Sequence, residues 1–134
     1  MVNQIFVNLP IKNLNDTVDF FTQLGFTFDP KFTNKDGTCM MIGENMFAMF
    51  LVEKCFKTFI NKDVSNAKKT TEVILAISLA SKKEVDEMVE KVIKSGGKEH
   101  RLQDYGWMYS RSFEDLDGHI WEPFFMDEEN MPKE

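Results

Sequence analysis

The sequence predicts an α+β fold of two tandem βαβββ modules that form a curved mixed sheet around a central trough. Three observations predict it. Short apolar runs bounded by Gly, Asn and Asp have the pattern of strands, and two further segments, one in each half of the chain, carry apolar residues at helical spacing. Landmarks also recur at a nearly constant offset: Gly25 maps to Gly96, a shift of 71 residues, and the turn at Gly43, Glu44 and Asn45 maps to Asp117 and Gly118, a shift of about 73. A helix covering one face of each four-stranded sheet leaves the other face to be shaped around a ligand.

Residues 2–11 are rich in branched and aromatic side chains and read as a strand with Pro10 near its end. A helix follows, capped by Asn13 or Asn15, with Val18, Phe20, Phe21 and Leu24 on one stripe and Gly25 at the left-handed C-terminal position. Three strands are expected at 26–32, 39–42 and 46–52, separated by turns at Asp36-Gly37 and at Gly43, closing module one near residue 53. Residues 54–70 read as a linker, in which Cys55, Phe56, Phe59 and Ile60 suggest a helical turn before a polar, Lys-rich connector. Module two, about 71–127, opens with a strand at 72–80. Ser81 and Glu84 then form a capping-box pattern ahead of a helix whose apolar face is Val85, Met88, Val89, Val92 and Ile93. Gly96-Gly97 ends that helix, and strands near 98–102, 107–113 and 120–126 complete the module, with Asp117-Gly118 as the last turn. The acidic tail at 128–134 contains Pro132 and is expected to fray.

With 134 residues, 43% hydrophobic and 28% charged, the chain is sized for one packed domain. Sixteen basic against twenty-two acidic residues give a net charge of −6, which argues against a nucleic-acid partner. The longest apolar runs, such as 73–80, fall well short of the ~20 residues a membrane helix needs, and no basic segment followed by an apolar core opens the chain. The expectation is a soluble, cytoplasmic protein with no membrane partner, whose Cys39 and Cys55 are reduced, buried thiols.

Several stretches then point further: Val7-Asn8-Leu9-Pro10-Ile11-Lys12-Asn13-Leu14, Phe20-Phe21, Leu24-Gly25-Phe26 and Phe113-Glu114-Asp115-Leu116-Asp117-Gly118-His119-Ile120-Trp121-Glu122. Together they resemble the vicinal oxygen chelate superfamily, which includes glyoxalase I, bleomycin resistance proteins and extradiol dioxygenases, and within it the compact glyoxalase-like proteins of bacteria. The resemblance spans nearly the whole chain and implies one such domain over 1–134, a homodimer, and a divalent metal held by His and Glu from the first and last strand of each module. Carried over to this chain, those four positions fall at Phe6, Met49, near Ile74, and at Glu122. Phenylalanine and isoleucine offer no donor, and a thioether suits a hard divalent ion poorly. His119, three residues from Glu122, should point to the opposite side of the strand, so Glu72 and Glu122 are the remaining carboxylate pair, a weak site without imidazole. No metal and no other cofactor is expected.

Glu122 has two readings: a general base with a raised pKa in apolar surroundings, or the partner of Arg111 in a salt bridge. An Arg111 that instead reaches the trough would hold a ligand carboxylate or phosphate in its planar fork. Tyr105, Trp107 and Tyr109 suggest an aromatic wall, and Met40, Met41, Met46 and Met49 an adaptable lining. The expected ligand-binding set is Phe6, Met49, Glu72, Ile74, Trp107, Tyr109, Arg111 and Glu122. The expected function is binding of a small, mostly apolar or aromatic molecule without a complete metal site; the alternative is a lyase, isomerase or dioxygenase-type enzyme using Glu122 as base or ligand.

Overall fold

The computed structural model describes residues 1–133, so the last residue of the expected tail lies outside them. Two compact units divide the chain, Met1–Ser65 and the residues from Asn66 onward. The expected duplication is present, because each unit runs strand, helix, three strands.

The first unit contains β1 (Ile5–Ile11), α1 (Leu14–Gln23), β2 (Thr27–Asp29), β3 (Gly37–Gly43) and β4 (Met46–Val52). Its sheet has the order β1-β4-β3-β2, with β1 parallel to β4 and the other pairs antiparallel. Of the two candidate caps, Asn13 is used: its side chain accepts the Asp16 N–H at 2.9 Å. Gly25, at φ +101°, ends the helix. Phe20 and Phe21 are buried with Leu9, Ile11 and Phe50, and the Phe21 ring stacks on Phe50 at 4.9 Å. The strand expected over 26–32 stops at Asp29. Pro30 has no N–H for the ladder and opens a 3₁₀ turn, Pro30–Phe32, whose Lys31 N–H is taken by the Asp29 carboxylate at 2.9 Å. The linker begins as expected with a helical turn, α2 (Glu53–Phe56), which runs into a second 3₁₀ turn, Lys57–Phe59.

The second unit repeats the plan with β5 (Ile74–Ser78), α3 (Lys82–Lys94), β6 (Lys98–Asp104), β7 (Met108–Glu114) and β8 (Ile120–Met126), in the order β5-β8-β7-β6. Ser81 caps α3 by accepting the Glu84 N–H at 3.1 Å. The Glu84 carboxylate reaches back one residue further than a capping box requires, to the Ala80 N–H at 2.8 Å. Val85, Val89 and Val92 are fully buried where α3 packs on β7 and β8, together with Phe113 and Trp121. In each unit the helix therefore occupies one face of its sheet. β1 and β5 each pair on one side only, and the apolar residues Ile5, Phe6, Val73 and Ile74 near their starts are exposed. Among the described residues no helix is long and apolar enough to cross a membrane.

Candidate functional site

Strand alternation decides which side chains of the second unit meet α3 and which do not. Arg111 of β7 reaches acidic groups on α3, and Phe113 and Trp121 are buried in the same core. The residues between them, Ser110, Ser112 and Glu114 on β7 and Ile120, Glu122 and Phe124 on β8, consequently face the other way.

On that open face the register lines up four residues. Ala76 stands opposite Glu122 across β5 and β8. The flanking pairs Ser110↔Phe124 and Phe113↔Trp121 put Ser112 beside Glu122, and Arg101 of β6 pairs with Ser112. Two strand spacings separate the Glu122 and Arg101 backbones, roughly 10 Å. A β-bulge between Glu99 and Arg101 interrupts the alternation and turns both His100 and Arg101 toward this face. His100 Nδ1 lies 3.9 Å from the Glu114 carboxylate, and the Ser112 hydroxyl accepts the Arg101 N–H at 3.1 Å while donating to its carbonyl at 3.4 Å. Glu122 is half-buried, and neither its carboxylate nor the exposed Arg101 guanidinium has a hydrogen bond or ion pair with a side chain of the described residues.

Arg111 requires a correction: it neither pairs with Glu122 nor reaches the open face. The loop between Glu114 and Ile120 sets the hairpin register so that Arg111 and Glu122 project to opposite sides. The Arg111 fork instead grips Glu99 at 2.8 and 2.9 Å, with further bonds to Asp86 at 3.0 Å and Glu90 at 3.3 Å. Tyr109 is corrected with it, since its hydroxyl donates to Asp86 at 2.6 Å on the α3 side. The cluster shifts its own titrations. Hydrogen bonds from Arg111 hold the Glu99 carboxyl below its ordinary value; the Tyr109 hydroxyl, then Arg111, do the same for Asp86, and Glu99 above all raises Arg111. Burial, then the bond to Asp86, pushes the Tyr109 phenol up to about 12.

The remaining expected residues are spread out. Trp107 stands one residue before β7, where its carbonyl accepts the Asp127 N–H at 2.6 Å, and is not in the row. Ile74 faces the open side but pairs with Ile120, so Ala76, not Ile74, neighbours Glu122. Glu72 precedes β5, four residues along the chain from Ala76, and the Glu72–Glu122 pair is not assembled. In the first unit Phe6 stacks on Phe47 at 4.6 Å, while Met49 lies between Asn8 and Cys39. Among the expected ligand positions and their neighbours, Phe6, Asn8 and Met49 in the first unit supply one oxygen ligand, Asn8, and Ile74, Ala76 and Glu122 in the second supply one, Glu122.

The Asp115-to-Trp121 hairpin is held by one carboxylate. Asp115 Oδ1 accepts the N–H groups of Asp117 and His119 at 3.0 Å each, and Oδ2 accepts Trp121 Nε1–H at 3.0 Å. Burial raises the Asp115 pKa, with His119 and the three hydrogen bonds acting against the rise. A cavity of about 290 Å³ lies beside this hairpin, lined by Lys68, Gly96, Lys98, Glu114, Asp115 and Gly118, and does not include Glu122. Arg101, Ser112 and Phe124 belong to the open face, and none of the three was among the expected ligand-binding residues. Counting alternation back from Trp121 through the hairpin would have found Ser112, whereas nothing in the residue types marks the bulge that presents Arg101.

Neither family models nor curated protein sequences match this chain. Solved structures do. A hypothetical protein from S. aureus superposes with a TM-score of 0.79 at 23% identity, covering 93% of this chain and 95% of that one. A glyoxalase-related enzyme from Fulvimarina pelagi gives 0.78 at 20% identity, covering 92% and 88%. A bleomycin resistance determinant encoded on the transposon Tn5 gives 0.65 at 16% identity, covering 94% and 99%. The chain thus has the fold of the glyoxalase/bleomycin resistance/dioxygenase proteins, the fold of the vicinal oxygen chelate superfamily.

Proposed function

We propose that this protein binds a small organic molecule on the open face of its second sheet, without a divalent metal, and that it works as a homodimer in the cytoplasm. The observation that carries this reading is Glu122, a half-buried carboxylate with no side-chain partner among the described residues, set between Ala76 and Ser112 with Ile120 and Phe124 in the neighbouring rows. A ligand donor placed against this carboxylate would supply the partner that the neighbouring side chains do not. The likeness in fold to a bleomycin resistance determinant is compatible with sequestration, and that to a glyoxalase-related enzyme with turnover. The dimer is supported by Ile5, Phe6, Met46, Val73 and Ile74, apolar side chains exposed near sheet edges.

Thermal-shift and calorimetric titration in EDTA against a panel of aromatic and aliphatic amines, alcohols and acids tests the binding claim, with Glu122→Gln as the control. Saturable binding weakened at least tenfold in Glu122→Gln is expected; binding that appears only with added nickel, zinc, iron or manganese would overturn the metal-free reading. Light scattering behind a sizing column should give twice the 15.6 kDa chain mass, and a monomer at micromolar concentration would refute the dimer. A second reading, an isomerase- or lyase-type enzyme, rests on the same unpaired carboxylate acting as general base. It is selected if Glu122→Gln keeps binding a substrate and loses its conversion.

A further inference from the structure

One row of the face proposed above carries two unpaired charges of opposite sign, and their placement says what kind of molecule fits. Outside that row, His100 lies 3.9 Å from Glu114, and the exposed Lys98 sits further along β6 at the level of Glu114, while Arg111, Glu99 and Asp86 are engaged on the opposite side of the sheet. Within the row stand Glu122 and Arg101, at the same level of the sheet with Ser112 between them, and no ion pair joins them. Arg101 is not a free-swinging surface residue at its root, because the bulge that turns it onto this face is fixed by both hydrogen bonds of the Ser112 hydroxyl. The next row holds the Phe124 ring and Ser110, an apolar platform beside a polar floor.

Resting on the binding reading above, we infer that the ligand is amphoteric: a carboxylate or other oxyanion at one end is taken by Arg101, and a cationic or hydrogen-bond-donating group at the other end by Glu122. A flat carbon skeleton that lies along Phe124 while its two ends reach Arg101 and Glu122 completes the fit. A guanidinium fork and a carboxylate reject the reversed orientation by like-charge contact, so the pair also fixes which way round the molecule sits.

The probe is 3-(aminomethyl)benzoate, compared with benzoate and benzylamine, each of which keeps one end, in titrations that follow the backbone amide signals of Ala76, Ser112 and Phe124 by NMR. The expected result is that the zwitterion binds at least tenfold more tightly than either half. Arg101→Met should cost the zwitterion and benzoate tenfold or more and leave benzylamine unchanged, and Glu122→Gln should do the reverse. If the aromatic compounds shift these signals but Arg101→Met changes none of the affinities, the amphoteric assignment is wrong while the binding face stands. If no compound, charged or neutral, shifts them at millimolar concentration, the binding reading falls as well. Arg101 is exposed, so its variant should fold, and an unchanged amide spectrum away from β6 checks that it has.

Discussion

Replacing Arg111 by Met keeps most of the stem that packs under α3 and removes the charge that four acceptor oxygens share. The Arg111 side chain is 11% exposed and that of Glu99 is 30% exposed, so the fork between them is the sheltered part of the cluster. Charge-assisted bonds of this kind contribute about 1.5–3 kcal/mol. Asp86 and Glu90 are 46% and 57% exposed, and solvent screening limits each of their bonds to roughly 0.5 kcal/mol. The loss is therefore about 3 kcal/mol, which for a chain of this length lowers Tm by about 10 °C. The acid dependence follows from the same geometry. Glu99 and Asp86 titrate below their ordinary values of 4.5 and 3.8 in the folded protein, so their contribution is present above those values and is lost as the pH falls through the lower folded values. Wild type should lose stability progressively as the pH falls below about 4.5; Arg111→Met keeps the share that the Tyr109 bond gives Asp86 but loses the share from Glu99, so the gap between the two proteins should narrow with acid. Calorimetric melts at pH 7, 5, 4 and 3 measure this. A drop at pH 7 of less than about 3 °C, or a gap that stays constant down to pH 3, would refute the argument that this cluster ties α3 to the sheet.

Three further outcomes are expected. Gly118→Ala forces a Cβ to within 2.8 Å of the Ala67 and Lys68 backbone at φ +92°, and should cost roughly 2–4 kcal/mol by urea titration; a loss under 1 kcal/mol would show that residues 67–68 do not rest on the hairpin as described. Asp115→Asn retains one carbonyl acceptor for three donors, so about 2 kcal/mol and a change in the near-ultraviolet signal of Trp121 should be lost together, and an unaltered spectrum counts against the shared-carboxylate account. Ser81→Ala removes the α3 cap and should cost about 1 kcal/mol in the same titration, with no measurable loss being the contrary result.

Much of the architecture was legible because its determinants are local. The stripes of α1 and α3, their caps at Asn13 and Ser81, and the two terminating glycines at positive φ, Gly25 and Gly96, are written in runs of a dozen residues. The site was less legible because it depends on register. Glu122 and Arg111 sit on neighbouring strands in the same hairpin, and one residue of slip decides whether they meet or turn their backs. The sequence reading left open whether they pair; the loop length and the burial of Phe113 and Trp121 separate them. Arg101 lies outside the expected set because nothing in its sequence neighbourhood marks it as a ligand contact. Its exposure on the open face comes from a bulge, an irregularity that no periodicity announces.

β7 has a consequence beyond this one chain. Its odd-numbered side chains fasten a helix and its even-numbered ones look outward, so the grip on α3 and the proposed ligand contacts are inscribed on opposite sides of a single ribbon. On that proposal, a lineage built this way can revise what it recognises on the outward side, Ser112 apart, while Arg111 keeps its hold on the helix. Divergent appetites on a common frame are what such a division of labour permits.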